Sequence, residues 1–283
     1  MRRRRRTAAG VGILAAVAMA ASGCSLFSDG TEAVRDAAAG RLVRAAYAKT
    51  TEGQTAKVRL ELRTTGAGAP LAVSGDGVVD FDARTSELRL TIPTVGTTDL
   101  RSVGGVMYVR VPAEFAAFTG GKPWVKVDAS ALGAAGLGQL GSSGMTSPAD
   151  LLAYLAGASD KVTKVGEETV AKTRTTRYRV EIDLRKAARD ADPAGREAVA
   201  QAEKAFGSRT VPADVWLDAD GRLRKFELRQ SVTPPASTSG TSASPATVEL
   251  YAALTLPEFG VPVQVTAPPA GEVADLSGLT GGR

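Results

Sequence analysis

Thr55-Ala56-Lys57-Val58-Arg59-Leu60-Glu61-Leu62-Arg63 is the stretch whose reading decides the fold. Val58, Leu60 and Leu62 alternate with Lys57, Arg59, Glu61 and Arg63. Successive side chains of a strand point to opposite faces, so this period of two predicts a strand with one apolar and one ionic side. Strands of that kind belong to an antiparallel sheet with one covered and one solvated face.

The pattern repeats outward. Turn residues Gly66 to Pro70 are followed by a strand over Gly77–Asp82. Leu88, Leu90 and Ile92 then alternate with Arg89 and Thr91, and strands follow at Val106–Val111 and Lys122–Asp128. The Gly/Ala/Ser-rich segment Ala129–Ser147 interrupts the series. Strands resume at Val162–Val165, Arg174–Ile182, Ala213–Leu217, Leu223–Gln230, Val248–Leu254 and Val261–Val265. Three helical segments accompany them. Thr31–Lys49 has apolar residues at 3–4 spacing. Ser147-Pro148-Ala149-Asp150 reads as an N-cap, a first-position proline and an acidic residue before Leu151, Leu152, Tyr154 and Leu155. Asp183–Phe206 is charged and divided by Pro193. Each half thus runs helix, then meander. The expected fold is α+β: one antiparallel sheet of roughly ten strands, with helices covering its apolar face.

Composition removes several functions. The chain has 283 residues, no His and one Cys. Without His there is no Ser-His-Asp or Cys-His catalysis and no histidine metal ligand. One Cys forms no intrachain disulfide and no CxxC pair. The formal charge of +5 lies wholly in Arg2–Arg6, and no acidic residue precedes Asp29, so residues 24–283 hold 30 basic and 30 acidic side chains. Such a balance gives no field to hold a nucleic-acid backbone. No catalytic residue, cofactor site or metal site is expected.

The N-terminus reads as an address. Arg2–Arg6 precede an uncharged stretch whose core, GVGILAAVAMAA, is short for a ~30 Å hydrocarbon layer. Ala21-Ser22-Gly23-Cys24 follows and resembles the lipobox of bacterial lipoproteins. The resemblance implies cleavage before Cys24, diacylglycerol on its thiol, and a chain held on the extracytoplasmic face of the cytoplasmic membrane. Residues 1–23 are then a signal peptide, 24–30 the lipidated cysteine and tether, 31–270 the ligand-binding domain and 271–283 a tail.

Gly77-Val78-Val79-Asp80-Phe81, Gly104-Gly105-Val106-Met107-Tyr108-Val109 and Lys122-Pro123-Trp124-Val125-Lys126-Val127-Asp128 occur in that order. Leu151-Leu152-Ala153-Tyr154-Leu155, Val215-Trp216-Leu217-Asp218 and Phe259-Gly260-Val261-Pro262-Val263 follow. This series resembles the actinobacterial LppX/LprAFG lipoproteins and, more distantly, the LolA and RseB/MucB fold. The resemblance implies a curved antiparallel half-barrel with helices covering its concave face, and between sheet and helices a cavity for the acyl chains of a lipid or glycolipid, in envelope transport or assembly. The alternative is an envelope-sensing module that binds a protein partner. The cavity candidates are Val58, Leu60, Leu62, Val79, Phe81, Leu88, Leu90, Ile92, Tyr108, Tyr178, Val180 and Ile182 from the strands. Leu42, Val43, Leu151, Leu152 and Leu155 join them from the helices.

Other motifs have plainer readings. Gly136-Leu137-Gly138-Gln139-Leu140-Gly141 matches GxGxxG but lacks the strand and parallel βαβ unit that a dinucleotide site needs. Asp76, Asp80 and Asp82 lie close in sequence, as do Asp218 and Asp220, but Asp-Gly at 76–77 and at 220–221 reads as a hairpin turn and no EF-hand spacing is present. Trp124 and Trp216 suit half-buried strand positions. Ser231–Thr247 is a Ser/Thr/Pro-rich loop.

Overall fold

The alternation seen at Val58–Arg63 recurs through a twelve-stranded sheet in the computed structural model of the chain. The structure describes residues 28–52, 55–66, 70–93, 96–127, 148, 152, 154–190, 196, 199–200, 203, 207–232 and 247–275. The chain divides into two units, Met1–Arg35 and Asp36–Arg283, and the sheet belongs to the second.

The strands are β1 (Thr55–Gly66), β2 (Leu71–Asp80), β3 (Thr85–Ile92), β4 (Gly96–Val103), β5 (Val106–Arg110), β6 (Trp124–Val127), β7 (Ala158–Val170), β8 (Thr173–Asp183), β9 (Thr210–Leu217), β10 (Leu223–Val232), β11 (Val248–Thr255) and β12 (Val273–Asp275). Their spatial order is β12-β6-β5-β4-β3-β2-β1-β11-β10-β9-β8-β7. Two meanders, β1 to β6 and β7 to β11, therefore join through the β1–β11 pair into one open, curved α+β half-barrel with helical cover. The strand number exceeds the expected ten, and one pair departs from the antiparallel rule: β12 runs parallel to β6. Val261–Val265, expected as a strand, lies outside the ladders. Pro262 offers no N–H there. The last strand comes instead from Val273–Asp275.

Turn chemistry fixes the register. Gly104 and Gly105 have φ of 59° and 79°. Positive φ at both central residues is what a two-residue hairpin between right-twisting strands requires, and it aligns Val103 with Val106. The pairings define two rims. Turns β2–β3, β4–β5, β7–β8 and β9–β10 line the first; connections β1–β2, β3–β4 and β5–β6 line the second.

Helix α1 spans Ser28–Thr51, and its Ala39, Val43 and Ala46 pack on the apolar side. Arg44 Nη1 donates to the Ala158 carbonyl at the second rim (3.2 Å). At the first rim the buried Thr50 hydroxyl accepts from the Leu223 amide (2.9 Å) and donates to the Ala46 carbonyl (2.5 Å). The helix thus runs from the second rim to the first. A second helix, α2 (Leu184–Asp190), is capped by Asp183, whose Oδ1 accepts from the Arg185 and Lys186 amides (2.9 and 3.2 Å). It packs on the 3-10 turn η2 (Tyr154–Gly157). The turn η1 (Ala113–Thr119) fills the β5–β6 connection and η3 (Ala270–Glu272) leads into β12. Of the expected helix before Leu155, Pro148 and Leu152 are helical; Leu151 lies outside the described residues. The expected helix Asp183–Phe206 is resolved as α2, with Arg196, Val199, Ala200 and Glu203 also helical.

Gly77 shows how the sheet draws its strands together. A Cβ at this position would overlap the Glu87 carbonyl oxygen and lie 2.8 Å from Leu88 Cα. Strand β3 approaches β2 through the space that a side chain would take. Gly77→Ala should therefore destabilise the protein by about 1–3 kcal/mol through overpacking, measured by chemical denaturation. An unchanged midpoint would show that the two strands part without cost.

Candidate functional site

Cross-strand partners share a face, so the register assembles the apolar surface rung by rung. One rung runs Val162, Val180, Ala213, Leu228, Ala252, Leu62, Val73 and Ile92. The next runs Tyr178, Val215, Phe226, Leu254, Leu60, Gly75 and Leu90. A third joins Val58, Gly77, Leu88, Leu100, Val109 and Val125. Val43, Leu152 and Leu155 complete one cluster with the apolar side chains of these rungs from β1 to β4 and β7 to β11.

Most candidates from the sequence meet on this surface. Val43, Val58, Leu62, Val79, Phe81, Leu88, Leu90, Ile92, Leu152, Leu155, Val180 and Ile182 are buried in the one cluster, and Leu60 and Tyr178 pack against it partly buried. Burial holds the Tyr178 phenol above its ordinary pKa. Two candidates do not join. Tyr108 pairs with Arg101 and Lys126, which puts it on the ionic face. Leu42 is 50% exposed, because its neighbour Val43 takes the sheet-facing position and adjacent helical residues point about 100° apart. Leu151 and Cys24 lie outside the described residues. The sequence reading passed over Phe226, Leu228, Leu254 and Val215, although Phe226 and Leu228 alternate with Lys225, Glu227 and Arg229 as clearly as the residues of β1 do. Polar groups also interrupt the inner face. Ser86 and Ser102 form a facing pair on the rung of Val79, and the buried Ser86 hydroxyl has no hydrogen-bond partner.

The opposite face is ionic. Arg59, Asp76, Arg89, Asp99, Arg110 and Trp124 stand in register across β1 to β6. Arg59 Nε bonds Asp76 (2.9 Å), Arg89 Nε bonds Asp99 (3.1 Å) and Arg110 Nη1 reaches the same carboxylate (3.5 Å). In the second meander Glu227, 5% exposed, accepts from Lys225 (2.6 Å), Arg229 (2.6 Å) and the Tyr251 hydroxyl (3.3 Å). Four rings each carry two cations: Trp124 faces Arg101 and Arg110, Trp216 faces Arg177 and Lys225, Tyr251 faces Arg63 and Arg229, and Phe259 faces Arg222 and Arg224. Trp216 Nε1 donates to Glu168 (2.8 Å), so both tryptophans serve this face.

Burial raises the pKa of Glu227, but the Lys225 and Arg229 bonds outweigh it and hold the carboxyl below its ordinary value. Burial likewise opposes ionisation of Asp218, and the Arg222 amide with Arg222 and Arg224 outweighs it. Asp218 and Asp220 thus serve the β9–β10 turn, and Asp80 Oδ1 accepts from the Ala83 amide in the β2–β3 turn, whereas Asp76-Gly77, expected at a turn, stands inside β2, where Gly77 admits the close approach of β3. Among the described residues no group of three or more carboxylates and thiols is placed to hold a metal ion.

No family model matches the chain, and no curated relative matches it. Several solved structures are similar. The lipoprotein LppX of Mycobacterium tuberculosis is 15% identical, over 79% of this chain and 98% of LppX, at a TM-score of 0.44. LprF of Mycobacterium bovis is 13% identical, over 81% and 96%, at 0.38. MucB of Pseudomonas aeruginosa, in its complex with MucA, is 13% identical, over 81% of this chain and 59% of that one, at 0.31. LppX, LprF and MucB are among the proteins whose families the sequence resembles.

The depressed pKa values set the acid limb of stability. A carboxyl whose folded pKa is lowered adds stability above its unfolded pKa and loses it as pH falls through the folded value. Stability should be level above about pH 5 and decline below about pH 4. Glu227→Gln should cost about 1–3 kcal/mol at neutral pH and flatten that decline. Denaturation midpoints between pH 3 and 7 test this; an acid limb as steep as the wild type's would remove Glu227 from the account.

Proposed function

We propose that this chain is a membrane-anchored extracytoplasmic lipoprotein that binds a lipid or acylated glycolipid between its sheet and helices, for lipid transport or assembly in the cell envelope. The observation that carries the reading is the continuous apolar face: three successive rungs crossing most of one open sheet, roofed by α1 and by Leu152 and Leu155. The lipobox-like Ala21–Cys24 supports the anchor, with Cys24 as the acylated residue. Two acyl chains hold a protein on a membrane where one is marginal.

The physics suits exchange. Moving a chain of about 15 methylenes out of water is worth on the order of 12 kcal/mol. Moving it out of a bilayer into a dry protein site gains close to nothing, because it was already dry. A binding face of this kind takes up and releases a chain beside a membrane. The inner surface meets that requirement with Val, Leu, Ile and Ala from both meanders, while its ions are confined to the other side. The Ser86–Ser102 pair offers hydroxyls at the first rim, within the same surface.

Native mass spectrometry tests the reading on residues 25–283, which contain the whole Asp36–Arg283 unit, purified from a lipid-rich actinobacterial host. The expected result is a retained mass of several hundred daltons or more, released by organic solvent and identified as a lipid. A bare chain mass from that host, with a protein captured by in-cell crosslinking, would replace the carrier with the partner-binding alternative.

A further inference from the structure

The β5–β6 connection stands apart from the rest of the surface. Its turn η1, Ala113-Glu114-Phe115-Ala116-Ala117-Phe118-Thr119, holds two of the most exposed apolar side chains among the described residues: Phe118 is 76% exposed and Phe115 is 44%. Their ring centroids lie 6.5 Å apart. The turn is firmly built. Phe115 N donates to the Pro112 carbonyl (2.9 Å), Gly121 N to Ala116 (2.8 Å) and Val111 N to Pro123 (2.8 Å). Gly120 and Gly121 close it at φ of 63° and 81°. The sequence spends a pre-ordered turn on holding two phenyl rings in water, which costs free energy unless something covers them.

Two observations say what covers them. Between η1 and strands β3 to β5 lies a groove of about 470 Å³, lined by Arg89, Thr98, Asp99, Arg110, Pro112 and Ala116. Asp99 is shared by both guanidiniums, so the groove lining carries two cations against one carboxylate, a surplus of one positive charge. The second observation is the course of α1, from the second rim towards the first. Within the Asp36–Arg283 unit, Arg44–Thr50 therefore run away from the rim to which η1 belongs.

We propose that η1 is a membrane-docking element: Phe115 and Phe118 insert at the interface of an anionic phospholipid bilayer, and Arg89 and Arg110 receive a lipid phosphate in the adjoining groove. Phenyl rings favour the headgroup boundary, and guanidiniums bind phosphate through paired donors. Docking would turn the second rim to the bilayer. The inference rests on the membrane-tethered reading, but its test needs no anchor.

Residues 25–283, free of acyl chains, are sedimented with vesicles of phosphatidylglycerol or of phosphatidylcholine. The wild type should partition onto phosphatidylglycerol. Phe115→Ala with Phe118→Ala should lower that partition tenfold or more with an unchanged melting curve, since Phe118 lies largely in water. Arg89→Gln with Arg110→Gln should abolish the preference for the anionic vesicles. Phe118→Trp should give a blue-shifted emission on vesicle addition that the wild type lacks. Equal partition of wild type and the double alanine variant overturns the proposal. So does loss of self-association in that variant with vesicle binding intact, which would make the rings a contact between copies. A chain that partitions through its rings but is never acylated at Cys24 in cells would sink the tether and leave the docking element standing.

Discussion

A wide sheet with its aliphatic side chains gathered on one face and its ions on the other has to cover the first face, and the rest of the architecture follows from how it does so. The cover is only partly made of sheet-to-helix packing. Helix α1 presents Ala39, Val43 and Ala46, small side chains that let it lie close to the strands. Its C-terminal end is fixed by the buried Thr50–Leu223 bond, so its course over the sheet is set by a polar contact as well as by apolar area. At the second rim Asp183 starts α2, and α2 closes on η2 so tightly that a Cβ on Gly157 would lie 2.7 Å from Ala187 Cβ.

The ionic face answers a different need. A long antiparallel sheet exposes much backbone and many side chains to water, and charges on that side keep it soluble. Most of its pairs are exposed and individually worth little. Their arrangement is nevertheless ordered: each of four aromatic rings carries two cations, Asp99 bonds Arg89 of β3 and Arg110 of β5, Asp214 bonds Arg177 and Arg179 of β8, and Glu227 bonds Lys225 and Arg229 of its own strand. Cation–ring contacts at exposed sites contribute about 0.5–1 kcal/mol each. The aromatic residues of the strands are thus spent largely on the wet side. The apolar face is left mostly to aliphatic side chains, with Phe81, Tyr178 and Phe226 among them, the softer lining that a site for acyl chains requires.

Much of this was legible in the residues, and the exceptions have physical causes. Strands with strict alternation, such as β1, β3 and β8, declare both their existence and their inward side. Val106-Met107-Tyr108-Val109 is apolar throughout, so alternation leaves its parity open; only the pairing of Val109 with Leu100 turns Tyr108 to the ionic face. Leu42 and Val43 both fit a helical stripe, and contact with the sheet selects one. Strand β12 has three residues and a parallel partner, too little pattern to read. Val261–Val265 has the composition of a strand, but Pro262 breaks its donors, and Val261 meets the sheet through the Thr55 hydroxyl instead. The exposed rings of η1 carried no periodic signal, since exposure is a property of the folded surface.

The central claim is that the aliphatic face of the sheet is the ligand site. Photolabelling reads it directly: a fatty acid with a diazirine at mid-chain, bound to residues 25–283 and irradiated, with labelled side chains mapped by peptide sequencing. The account predicts labels at inward positions of both meanders, such as Leu60, Leu90, Val180 and Phe226, displaced by an unlabelled lipid. Labels confined to the ionic face or to η1, with the inward positions clean, would contradict it.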